Sequence, residues 1–151
     1  MLADDVLGAT REEANPVLDA RYERAFTEID GDPNQYLCVV EDGAIIVGTL
    51  QLTFIRGLAR TGALRGQIEA VRVTADRRGE RIGEAMFAWA MDECRTRGCS
   101  IVQLTTDKAR TDAHRFYNRL GFRSTHRGYK LTLEAEPPIS RNAATSGSEA
   151  P

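Results

Sequence analysis

Apolar residues recur at two different spacings along this chain, and the switches between them mark its elements. From Thr10 to Ile29 the segment is charged and mixed, yet Leu18, Tyr22, Ala25, Phe26 and Ile29 fall at helical spacing. This predicts a helix from about Pro16 to Ile29, broken by Gly31-Asp32-Pro33-Asn34. Tyr36–Val40 is a short apolar run, and Asp42-Gly43 then turns the chain into Ala44–Ile55. In that second run Ile46, Gly48, Leu50, Leu52 and Phe54 take one face, and Thr49, Gln51 and Thr53 the other. The pattern predicts a half-buried antiparallel hairpin whose turn places Asp42 and Gly43 at positive φ.

Arg56–Gly66 carries three glycines and three arginines and reads as a loop. Gln67–Val73 is the third strand, and Thr74–Arg81 is polar and turn-like. From Ile82 the spacing returns to helical, with Ala85, Met86, Trp89, Ala90 and Cys94 in one stripe. Gly98 suits the left-handed position past its end. Ile101–Thr106 is the next strand. Ala113, Phe116, Tyr117 and Leu120 form a short amphipathic helix closed by Gly121. Phe122–Ser124 and Tyr129–Leu133 are the last strand candidates. The order predicts one α/β domain over residues 1–134: a mostly antiparallel mixed sheet with one parallel β-α-β step from Val73 to Ile101. Residues 135–151, with Pro137-Pro138 and then small polar residues, cannot build a core and read as a disordered tail.

Composition adds mainly exclusions. The chain has 151 residues, 42% hydrophobic and 28% charged, which is ordinary for a globular domain. A net charge of −2 argues against a general nucleic-acid binder. No apolar run approaches the roughly 18 residues of a membrane span, and Met1–Asp5 lacks the basic and apolar regions of a secretory leader. Cys38, Cys94 and Cys99 form no C-x-x-C pair, so they read as structural cysteines of a reduced, cytoplasmic protein. His114 and His126 have no ligand-like spacing, and no metal is expected.

The candidate chemistry lies where Gln67–Val73 ends and Arg77-Arg78-Gly79-Glu80-Arg81-Ile82-Gly83-Glu84 opens a helix. A helix start offers unpaired N–H groups and the positive end of a dipole, so this turn suits a phosphate or pyrophosphate. Neither a Walker loop nor G-x-G-x-x-G is present.

The turn resembles the acyl-CoA pyrophosphate loop of the GCN5-related N-acetyltransferases (GNAT), Arg/Gln-x-x-Gly-x-Gly/Ala. Arg78, Arg81 and Gly83 stand at its three specified positions. Arg81 replaces the middle glycine, at the risk of strain if that position needs positive φ. Ala113-His114-Arg115-Phe116-Tyr117-Asn118-Arg119-Leu120-Gly121-Phe122 resembles the family's Ala-x-x-Phe-Tyr-x-x-x-Gly-Phe helix.

The resemblance covers roughly Tyr22–Leu133 and implies the GNAT fold, with helices on both faces of the sheet. Met1–Gly8 would be the tail of the family's opening helix, and the first strand would be absent. It implies acetyl transfer from acetyl-CoA to a primary amine in a ternary complex. Tyr117 would be the general acid for the leaving thiolate and Glu69 the candidate base. Acetyl-CoA would be bound by Val71, Arg72 and Val73 of the strand, by Arg78, Gly79, Glu80, Arg81, Ile82, Gly83 and Glu84 of the loop, and by Arg110, which replaces the family's asparagine. Arg77 is a weaker phosphate candidate, and Thr111 or Asp112 could cap the last helix. The acceptor would be a small amine rather than a protein, and the family leaves room for a homodimer. The alternatives are a non-catalytic acyl-CoA-binding regulatory module and an interaction scaffold on the same fold.

Overall fold

The structure is a computed structural model and describes residues 19–133. The expected opening helix remnant, the first helical turn before Asp19 and the tail beyond Leu133 lie outside those residues. α1 (Ala20–Gly31) starts on Asp19, whose carboxylate accepts from the Arg21 N–H. None of its residues is buried, and Phe26 of the expected apolar stripe is exposed.

β1 (Gln35–Asp42) and β2 (Ile45–Arg56) form the predicted hairpin. Its turn is Gly43-Ala44, one residue later than expected. Only Gly43 takes positive φ (63°), the place where a II′ turn carries glycine. A bulge lies just beyond: Val40 pairs with Gly48, but Glu41 pairs with Ile46. The extra residue, Val47, turns inward and is buried, while Ile46 is left exposed. The inward face therefore holds Gly48, Leu50, Leu52 and Phe54 but not Ile46.

The Arg56–Gly66 loop is shorter than predicted. After α2 (Ala59–Gly62), a single turn with Arg60 and Thr61 at positive φ, the chain re-enters the sheet at once. β3 (Leu64–Val73) thus begins three residues before Gln67. A Cβ at Gly66 would collide with Cys94 Sγ, so glycine is what lets strand and helix close there.

A turn of 3₁₀ helix (Ala75–Arg77) leads to α3 (Ile82–Thr96). Its buried side is Met86, Phe87, Ala90 and Cys94, so Phe87 replaces Ala85, which faces solvent. These residues pack on Leu50, Leu52, Phe54 and Ile68 to make the core. Burial pushes the Cys94 thiol up to about 12, consistent with a structural cysteine. Beyond α3, Arg97 lies over the rings of Tyr36 and Phe54, at 4.6 and 4.2 Å, and donates to the Pro33 carbonyl and the Tyr36 hydroxyl.

β4 (Ile101–Leu104) pairs parallel with β3, and α4 (Thr111–Arg119) follows. The sheet order is β1-β2-β3-β4, antiparallel except for the last pair. This is the predicted mixed α/β architecture. The last strands are not formed: residues 122–133 carry no strand, and Tyr129, Leu131 and Leu133 are exposed. Alternation specifies a face, but a strand also needs a partner and a cover.

Candidate active site

The β3–β4 pairing stops early. Arg65, Gly66, Gln67 and Ile68 pair with Ile101, Val102, Gln103 and Leu104, and beyond Ile68 and Leu104 the strands separate. The gap at these carboxyl ends is a cleft lined by Ile68, Glu69, Ala70, Val71, Arg72, Leu104, Thr105, Thr106, Arg110 and Tyr117. An opening at the C-terminal end of parallel strands is the usual place for a ligand in an α/β sheet.

Each wall is set by a local device. On β3, Gln51 pairs with Glu69 and Thr49 with Arg72, so Ala70 and Val71 together oppose Leu50. Ala70 takes φ 51°, in the left-handed region. On the other side α4 ends in a Schellman cap. Gly121 (φ 89°) donates to the Asn118 carbonyl, and Phe122 donates to the Tyr117 carbonyl. The apolar contact that accompanies such a cap is Tyr117 against Phe122, with centroids 6.3 Å apart. Phe87 and Phe116 pack on the same phenol ring at 5.6 and 5.5 Å. The ring is therefore held on three sides while lining the cleft.

Burial raises the Tyr117 phenol above its ordinary value near 10, with Arg110 and then Arg72 pulling partly back. It stays protonated through neutral pH, as a proton donor must. Arg72 Nη1 donates to the Val71 carbonyl at 2.8 Å. The Thr106 hydroxyl is buried without a partner among the described residues, a polar group in the cleft wall for a ligand to meet.

The loop residues gather at the other end of the site, around the start of α3, and do not line the cleft. Arg81 is the N-cap at φ 64°, ψ 12°, the left-handed conformation that the replaced glycine would take without strain. It offers no side-chain cap. The N–H groups of Ile82, Gly83 and Glu84 precede the first intrahelical bond, from Ala85 N–H to the Arg81 carbonyl. The Arg81 guanidinium is turned back onto Glu84 at 2.8 Å. Gly79 has φ 90°, and Arg78 is exposed with no ion pair among the described residues. Arg77 is engaged by Asp42, and by Glu80 at 3.4 Å, so it braces the turn against β1.

Neither Thr111 nor Asp112 caps α4. Its N-cap is Arg110, and the Asp107 carboxylate accepts from Ala109 N–H instead. The two sequence motifs meet in space, because a Cβ at Gly83 would lie 3.4 Å from Phe116 Cζ.

The structure thus brings Glu69, Val71, Arg72, Arg110 and Tyr117 into one cleft, with Arg78–Glu84 at the helix end and Val73 in the core. Sequence reasoning missed Ala70, Thr105, Thr106 and Phe87. Among the described residues no group of three or more His, Cys, Asp or Glu is placed to hold a metal, and no helix is long and apolar enough to cross a membrane.

A mixed sheet that opens between its parallel strands beside a bare helix N-terminus places this protein among the acyl-CoA N-acyltransferase folds. The profile of the acetyltransferase (GNAT) family matches residues 4–122, and the chain belongs to that family. An aminoalkylphosphonate N-acetyltransferase of Salmonella typhimurium is 34% identical over 95 residues, 63% of this chain and 61% of that relative. The match thus spans less than two thirds of the relative's length. The crystal structure of a protein described as a transcriptional regulator of Bacillus halodurans superposes with TM-score 0.86 at 47% identity, covering 88% of this chain and 89% of that one. Glucosamine-6-phosphate N-acetyltransferase of Arabidopsis thaliana shares the fold, with TM-score 0.72 at 24% identity over 85% and 87% of the two chains.

Proposed function

We propose that this protein transfers an acetyl group from acetyl-CoA to the primary amine of a small molecule. The observation that carries the reading is the placement of Glu69 and Tyr117 in one cleft that opens where β3 leaves β4. The start of α3 supports it, with free N–H groups and a positive dipole end suited to a diphosphate. Acetyl-CoA supplies the thioester whose C–S bond breaks. Glu69 takes a proton from the acceptor ammonium, directly or through water, because only the neutral amine attacks. The new C–N bond forms as the C–S bond breaks, the Tyr117 hydroxyl gives its proton to the departing sulfur, and the proton shed by the new amide nitrogen restores the phenol. Backbone N–H groups on the end of β3 that has left β4 polarise the acetyl carbonyl as its oxygen gains charge. Arg78 and the α3 N-terminus hold the diphosphate.

The curated relative's name specifies aminoalkylphosphonates, which are small amines. That favours a small-molecule acceptor here over a protein. The Bacillus halodurans neighbour's description, at 47% identity, favours a second reading: acyl-CoA binding that serves regulation rather than turnover. Calorimetric titration with acetyl-CoA, desulfo-CoA and ATP tests the nucleotide end. Binding of both CoA compounds without ATP is expected, followed by amine-dependent release of free thiol. Folded protein that gives no heat with either CoA compound would overturn the proposal, and binding without thiol release from any amine would favour the regulatory reading.

A further inference from the structure

Three residues apart on a regular strand, Glu69 and Arg72 would point to opposite faces of the sheet. The bulge at Ala70 cancels that. Their partners Gln51 and Thr49 are two residues apart and share the polar face of β2, away from the core. Glu69 and Arg72 therefore share it too, and both line the cleft on either side of Ala70. A left-handed alanine is strained where glycine would not be. Backbone strain of this kind persists where surrounding structure holds it and something is gained. What is gained here is a carboxylate and a guanidinium that line one cleft from the same strand, with Arg110 lining it from the start of α4.

The acetyl donor does not account for that positive charge. Its diphosphate belongs at Arg78–Glu84, outside the cleft, and the arm that would enter the cleft is uncharged. We propose that Arg72 is a specificity-determining residue for the acceptor. It receives an anionic group of the acceptor, a phosphonate, phosphate or carboxylate a few bonds from the nitrogen that Glu69 serves. The acceptor is then zwitterionic, with its ammonium at Glu69 and its anion on the guanidinium fork, whose geometry matches such oxyanions. Arg110 adds charge from the start of α4. This proposal rests on the transferase reading above.

The test compares acceptors of matched length, namely 2-aminoethylphosphonate, β-alanine and ethanolamine, in turnover and in calorimetric binding to the CoA-saturated protein. The anionic amines are expected to exceed ethanolamine in kcat/KM by roughly 10- to 100-fold, the range of a hydrogen bond to a charged group. The phosphonate and carboxylate arms show which anion is preferred. In Arg72→Gln the anionic-to-neutral ratio should fall to within a few-fold of one, and Arg72→Lys should restore part of it. If Arg72 served only the acetyl donor, Arg72→Gln would lower all three acceptors together, raise the KM for acetyl-CoA and leave the ratio intact. That result would overturn the proposal, as would equal use of ethanolamine by the unmodified protein, with the transferase reading still standing. Arg72-dependent binding of the anionic amines without transfer to any amine would instead overturn the transferase reading and leave the anion subsite standing.

Discussion

The two halves of β3 are built to different rules. From Arg65 to Ile68 the strand is paired on both sides, with β2 and with β4. Gly66 lets it close on Cys94, and Gln67 accepts from Gln103 at 2.7 Å across the parallel pair. From Glu69 to Val73 the same strand keeps only β2, takes a bulge through a left-handed alanine, and presents charged side chains to a cleft. The first half follows the rules of stability, and the second departs from them where ligands would bind. A strand need not be uniform to be well made. Its regular half fixes the position from which its irregular half can work.

The comparison breaks most easily at the cleft. Tyr117→Phe should lower kcat by about 10²- to 10⁴-fold, the range of a positioned acid, with little change in melting temperature. The pH profile sharpens this. Burial raises the phenol above its ordinary value, so the donor stays protonated through neutral pH, and the rate should rise with pH as the acceptor amine loses its proton. A fall between pH 8 and 9.5 that vanishes in Tyr117→Phe would keep the phenol as the donor but contradict the upward push of burial; a Tyr117→Phe variant with an undiminished rate would contradict the donor role itself.

At the closed half the loss should appear in stability. Gly66→Ala drives a methyl into Cys94 and should cost about 1–3 kcal/mol in urea unfolding. Adding Cys94→Ala should recover part of that loss, since the two residues share one space. A fully additive pair would show that Gly66 is needed for some other reason. The smallest effect is expected at the bulge. Ala70→Gly relieves left-handed strain but loosens the unfolded chain, so stability should rise by no more than about 1 kcal/mol. A loss would show that the Ala70 methyl contributes packing of its own.

The regular half of the molecule was legible in the sequence, and the irregular half was not. Leu50, Leu52 and Phe54 announce β2 by their spacing, and Met86, Ala90 and Cys94 announce α3, because each element has one period and one buried side. An inserted residue breaks the period without a signal of its own. Val47 rather than Ile46 faces inward, and Ala70 turns left-handed, although nothing in either residue type marks a bulge. Tyr117 and Glu69 were visible as chemistry through the family motif and strand position. Their meeting in one cleft depends on where β3 and β4 stop pairing, which is a tertiary fact. Tyr129, Leu131 and Leu133 show the reverse failure, an alternating pattern without a strand.

The contact between Gly83 and Phe116 carries a consequence for how such sequences can diverge. A carbon added at position 83 would already rest against the Phe116 ring, 3.4 Å from its Cζ. The start of α3, where a diphosphate would rest, and the helix that carries the phenol therefore share a single small volume. Drift at one position is licensed only by matching drift at the other. Across descendants of this chain the two sites, far apart in sequence, should vary as a pair: glycine or alanine opposite a full aromatic ring, and larger residues only where that ring has shrunk.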